Sequence, residues 1–190
     1  NPIEVAFNQS GAGSSSTFNF LNAQSATTYG AELEFRKKLD MWPSLKRFTV
    51  QGNVSYMYNR VKFEQQLLDR PMQGQSPYLL NAGLQYDVDE LGLYTTALFN
   101  VVGRRILYVG NEQLPPIWEA PRPLLDFQIS KKLMQGNGEI KLNISDIFNR
   151  PANFYHDLDN TKSYSSNVDA LALRRIYGTN VSISFGYTFK

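Results

Sequence analysis

Apolar and polar residues alternate with period two along most of the chain, and helical periodicity is nearly absent. The last strand shows it best: Val181, Ile183, Phe185, Tyr187 and Phe189 share one face, against Asn180, Ser182, Ser184, Gly186 and Thr188. Upstream, Tyr29, Ala31, Leu33 and Phe35 oppose Gly30, Glu32, Glu34 and Arg36. Phe48, Val50, Val54, Tyr56 and Tyr58 oppose Thr49, Gln51, Asn53 and Ser55. Tyr78, Leu80, Ala82, Leu84 and Tyr86 line another face. Leu125, Phe127 and Ile129 oppose Asp126, Gln128 and Ser130; Ile140, Leu142 and Ile144 oppose Lys141, Asn143 and Ser145. Residues 91–105 form a less regular strand, and Ile3–Phe7 opens the series. The pattern predicts roughly eight strands of about 9–11 residues or more, the length with which a tilted strand crosses a bilayer.

Connection lengths alternate as well. Short turns are expected near Asp40–Lys46, Asp87–Leu91 and Met134–Gly138, where Pro, Asp and Gly punctuate the chain. Long connections fall near Gln9–Thr17, Arg60–Ser76, Arg105–Pro121 and Asn149–Leu171. Such a meander has two chemically different ends, as an outer-membrane barrel has tight periplasmic turns and long extracellular loops. A soluble antiparallel sandwich alternates too. Strands longer than the usual five or six residues, with Tyr and Phe near their ends, favour the membrane barrel.

Composition agrees with this reading. Hydrophobic residues make up 42% of the 190, yet no stretch approaches the ~18 apolar residues of a membrane helix, because in a barrel only alternate residues meet lipid. The 11 Tyr and 12 Phe suit two interfacial girdles. Absence of cysteine removes disulfide frameworks, zinc-thiolate sites and cysteine nucleophiles. A net charge of +2 gives no global pull toward nucleic acid. The opening NPIEV lacks a leader pattern, so the chain is expected to start inside a larger protein or after processing.

Several segments resemble TonB-dependent outer-membrane receptors. Ala26, Gly30 and Glu32 match an A-x-x-x-G-x-E strand of that family. RPMQGQSPYLLNAGLQY, from Arg70 to Tyr86, resembles a stretch of the branch that often carries a carboxypeptidase-regulatory-like domain before its plug. VGRRI, EAPRPLLDFQISKKL, IKLNISDIFN and the closing FGYTF resemble the following strands in order, with Lys190 a departure after the terminal aromatic. The resemblance implies an all-β, antiparallel, up-and-down transmembrane barrel of 22 strands. Residues 1–190 would supply about the last eight as the C-terminal part of one barrel domain, with the plug outside this sequence. It implies integral outer-membrane localisation and active uptake of a scarce nutrient: a glycan, as in SusC-like relatives, a siderophore, cobalamin or a peptide. Implied partners are lipid and lipopolysaccharide, the plug, the TonB complex through the plug, and for SusC-like relatives a surface lipoprotein. Two other readings are a stand-alone small barrel with a structural or adhesive role, and an outer-membrane hydrolase.

Candidate chemistry is sparse. His156 is the single histidine; with Asp157 and Asp159 beside it, it reads as a polar loop residue, and no metal, cofactor or catalytic group is expected. Arg104-Arg105 and Arg174-Arg175 read as solvated rim charge, with capture of an anionic nutrient or lipopolysaccharide phosphate as the functional alternative. Trp42 beside Pro43 is expected to anchor a periplasmic turn, and Trp118 to anchor a loop or stack on a ligand. Tyr108, Trp118, Tyr155 and Tyr164 are the loop aromatics expected within reach of ligand. Ile183, Phe185, Tyr187 and Phe189 are expected to face lipid, and Glu32, Glu34 and Arg36 the lumen.

Overall fold

The structure is a computed structural model that describes residues 2–9, 16–62, 70–110 and 114–189. The strands in chain order are β1 (Ile3–Gln9), β2 (Ser16–Asn22), β3 (Ser25–Lys38), β4 (Phe48–Lys62), β5 (Tyr78–Val88), β6 (Leu93–Val102) and β7 (Arg105–Tyr108). β8 (Ile117–Glu119), β9 (Leu124–Leu133), β10 (Gly138–Ser145), β11 (Ala152–His156), β12 (Ala170–Arg175) and β13 (Asn180–Tyr187) complete them. All ladders between neighbouring strands are antiparallel.

The main sheet has seven strands in the order β13-β10-β9-β6-β5-β4-β3. Its register keeps like with like. Lys38, Thr49, Gln85, Thr96, Gln128, Asn143 and Ser182 form one polar row across all seven strands. The adjacent row is Lys37 followed by Val50, Leu84, Ala97, Phe127, Ile144 and Val181. A one-residue slip on any strand would exchange its faces, so the alternation read from the sequence fixes this register. The apolar face remains largely exposed on this chain, with Leu33, Val54, Leu84, Ile183 and Phe185 all open. An apolar surface of that extent on one side of a sheet is what lipid covers. Glu32, Glu34 and Arg36 lie on the other face, where Asn53 bonds Glu32 and Arg36 donates to Gln85 at 3.1 Å.

The two ends of this sheet differ. At one end are three tight connections. Residues 39–47 close with Phe48 N–H on the Leu45 carbonyl at 2.8 Å and carry the exposed Trp42. Asp89–Leu91 is a 3-10 turn ended by Gly92 at φ 58°, and Met134–Gly136 is a second. Thr188 donates to the Asn137 carbonyl, so β13 finishes at this end as well. Lys131, on the apolar face, reaches the Leu91 carbonyl here, carrying its charge out of the apolar zone. Aromatic pairs mark both borders: Phe48–Tyr86 near the tight turns and Tyr29–Tyr58 at the other end.

At the far end the chain is less open than its sequence suggests. β7, β8, β11 and β12 form a second sheet in the order β12-β11-β8-β7. They follow β6, precede β9, follow β10 and precede β13, and they keep the spatial order of those four strands. The second sheet therefore prolongs the wall as a rim. Two of the expected long loops, Arg105–Pro121 and Asn149–Leu171, hold β7, β8, β11 and the start of β12, strands that at three to six residues are too short for period two to be visible. A further correction concerns the first strand. β1 pairs with β2 and not with the main sheet, so among the described residues seven strands, not eight, build that sheet. Parts of the expected loops near Gln9–Thr17, Arg60–Ser76 and Arg105–Pro121 lie outside the described residues.

The β1–β2 hairpin is held by the segment between β4 and β5. Arg70 forms a 2.6 Å ion pair with Glu4, whose side chain is 1% exposed. Gln73 gives its backbone N–H to the same carboxylate at 2.9 Å. Its side chain accepts from Val5 N–H at 2.6 Å and donates to the Leu107 carbonyl at 2.6 Å. The RPMQGQSPY run is thus a junction that ties β1 and β7 to the wall, with Ala6, Ile106 and Val109 as a small apolar core against Trp118.

Candidate functional site

Between the main sheet and the rim lies a cavity of about 970 Å³. The end of β4 supplies Tyr58 and Arg60, the β4–β5 connection Arg70, and the rim Arg104 and Trp118. Arg122, Arg150, Lys162 and Tyr164 come from the connections around β8, β11 and β12. Among the described lining residues six are cationic and none is acidic. Arg70 is matched behind the surface by Glu4, Arg104 by Asp157, and Arg122 by Asp146 at 2.6 Å. The guanidinium groups also lie over rings, Arg104 at 3.7 Å from the Trp118 centroid and Arg60 at 5.4 Å from that of Tyr58. Positive heads set over aromatic rings form a surface suited to anionic groups.

The four loop aromatics separate into different positions. Trp118 and Tyr164 line the cavity. Tyr155 is 0% exposed and stands behind Tyr164, ring centroids 5.1 Å apart, with its hydroxyl accepting from Arg104 at 3.3 Å. Burial pushes the Tyr155 hydroxyl above its ordinary range, although Arg104 acts the other way, so it stays neutral at physiological pH. Tyr108 packs against Phe18 at 4.9 Å and is not among the lining residues. Phe189 follows β13, is 86% exposed and meets Tyr187 edge-on at 4.8 Å.

The basic pairs also divide. Arg104 is not solvated rim charge: its side chain is 14% exposed, sandwiched between Trp118 and Asp157. Arg105 points to Glu119 at 2.6 Å and is partly open. Arg174 and Arg175 are exposed, with Arg175 over the Phe154 ring. His156 Nδ1 lies 3.0 Å from the Pro115 carbonyl, which fixes that ring nitrogen as an N–H donor. Sequence reasoning missed Tyr58, Arg60, Arg122 and Arg150 as lining residues. Their one local signal is position: Arg60 and Arg150 fall within expected long connections, Arg122 directly follows one and Tyr58 precedes one by two residues.

A family model described as outer membrane protein beta-barrel family matches residues 1–185. No curated protein matches the chain in sequence. Among solved structures, the FrpB iron transporter from Neisseria meningitidis (F3-3 variant) shares the fold at a TM-score of 0.58 and 18% identity. The likeness covers 90% of this chain and 25% of that one, so the chain spans about a quarter of the transporter's length.

Proposed function

Given that the chain belongs to the outer membrane protein beta-barrel family, we propose that it forms wall and extracellular rim of a TonB-dependent importer. The observation that carries this is the seven-stranded sheet, with one face largely apolar and the other largely polar, in a fold shared with an iron transporter. On this reading the apolar face meets lipid and the polar face encloses a plug supplied by the rest of the protein. The plug, not this segment, contacts TonB. The branch that carries a carboxypeptidase-regulatory-like domain before its plug belongs to the same proposal, supported by the RPMQGQSPY resemblance.

The cavity lies at the long-connection end, where an incoming solute arrives first. Its cationic and aromatic lining favours a nutrient that carries negative charge on a planar frame, such as an iron complex of an anionic chelator, over a neutral glycan. The test is uptake by cells expressing the full-length protein, with and without TonB. Accumulation of an anionic iron complex should require TonB and fall at least tenfold in Trp118→Ala and in Arg150→Ala. Equal accumulation without TonB overturns active import. TonB-dependent uptake of a neutral glycan that neither substitution alters overturns the assignment of the cavity.

A further inference from the structure

The connection between β11 and β12 brings three carboxylates together. One oxygen from each of Asp157, Asp159 and Asp169 lies within 4.8 Å of the other two. The Asp157 side chain is 4% exposed. One of its oxygens, Oδ2, takes Arg104 and the backbone N–H of Lys162, whereas Oδ1 is buried without a hydrogen-bond partner among the described residues. A buried carboxylate oxygen without a donor is costly, and two further carboxylates beside it raise that cost. Hydrogen-bond donors meet the other two. Asp169 accepts Leu158 N–H at 3.0 Å and Ser165 N–H at 2.7 Å; Asp159 Oδ1 accepts Thr161 N–H at 3.1 Å. Arg104 meets one oxygen of Asp157, and Oδ1 is left without a donor among the described residues.

We propose that Asp157, Asp159 and Asp169 form a calcium site that fixes the 157–169 connection beside the cavity. The donor set is hard oxygen, three carboxylates with no histidine or thiolate in the group. Three carboxylates beside hydroxyl and carbonyl oxygens of one irregular connection suit calcium, which takes about 6–8 oxygen ligands in flexible geometry, whereas magnesium demands a near-octahedral shell and keeps several of its waters. Neighbouring oxygens can complete a shell: the Thr161 hydroxyl is 2.8 Å from Asp159 Oδ1 and 3.2 Å from the Ser163 carbonyl. Left-handed backbone at Asn160 and Lys162, φ 56° and 65°, turns the chain sharply within this connection. The same connection carries Lys162, Ser163 and Tyr164 into the cavity wall. The ion would therefore set the shape of the cavity as well as the loop. An affinity of ~0.1–1 mM is expected, as for extracellular calcium modules.

The test uses the full-length protein, purified in detergent and stripped with chelator, with calcium alone as the probe. Wild type should bind one more calcium ion by equilibrium dialysis than Asp159→Asn, whose substitution is at an exposed side chain and spares the Arg104 pair. Trypsin should cut after Lys162 at least tenfold more slowly in calcium than in chelator, and in Asp159→Asn at the chelator rate in either. Heat-modifiability on gels confirms that the variant is assembled. Equal calcium binding by wild type and Asp159→Asn, or a cleavage rate indifferent to calcium, overturns the proposal. So does protection by magnesium in place of calcium.

Discussion

At the scale of single residues, two motif positions acquire physical reasons. Gly30 faces the Tyr56 carbonyl so closely that a Cβ there would collide with backbone, and the Met57 side chain closes the remaining space. Gly186, on the same polar face of β13, has open space around it. Gly30→Val is therefore expected to abolish assembly of the full-length protein and Gly186→Ala to preserve it, read as the heat-modifiable fraction on gels. Comparable assembly of the two would show that β3 can move away from β4. Arg70 and Glu4, sixty-six residues apart, are the second case. Removing one member of a buried ion pair leaves the other charged and unmatched, at about 3–5 kcal/mol. Arg70→Ala should weaken the β1–β2 hairpin by that order, and the double change Glu4→Gln with Arg70→Gln should cost less than Arg70→Ala alone. A urea series on full-length protein, monitored by protease release of the hairpin, checks the ranking; a double variant weaker than the single one contradicts it.

At the scale of an element, β13 combines a purely apolar and a small neutral face. Ile183 pairs with Leu142 and Ser184 with Lys141, so the two residues look to opposite sides of the same strand. Arginine at Ile183 places a charge in hydrocarbon, at ~2–4 kcal/mol near mid-depth. Arginine at Ser184 meets the polar side and should cost less. The comparison belongs in full-length protein with the plug deleted, where Ser184→Arg has nothing to strike. If Ser184→Arg assembles less well than Ile183→Arg, the strand is inside out.

At the scale of the whole molecule, the asymmetry of the two ends gives a topology. In sealed cells an external protease should cut within residues 157–169 and not within 134–138, because the proposed topology turns only the rim end outward. Cleavage at the short turn with the membrane intact would reverse the orientation. The main sheet ends on β3 and β13, each paired on one side only among the described residues. Unpaired backbone in lipid costs several kcal/mol per group, so residues 1–190 alone should not refold into a closed, heat-resistant monomer in detergent. Recovery of such a monomer would make this a self-sufficient small barrel.

The faces of β3 to β6, β9, β10 and β13, the short turns and the polarity of the sheet follow from the sequence by itself. Each residue's side is set by its immediate surroundings, apolar or wet, and period two records that locally. Gly30 and Gln73 were visible as motif letters without a reason. The tertiary structure alone decided the rim sheet, whose strands are too short to show a period. It alone placed β1 beside β7, turned Arg104 from rim charge into a buried partner of Trp118 and Asp157, and set Asp169 against Asp157 and Asp159. These arrangements join residues up to 104 positions apart, through backbone pairing, a buried ion pair and ring contacts between distant segments. No spacing along the chain expresses that, because the partner of a buried charge is chosen by the fold that buries it.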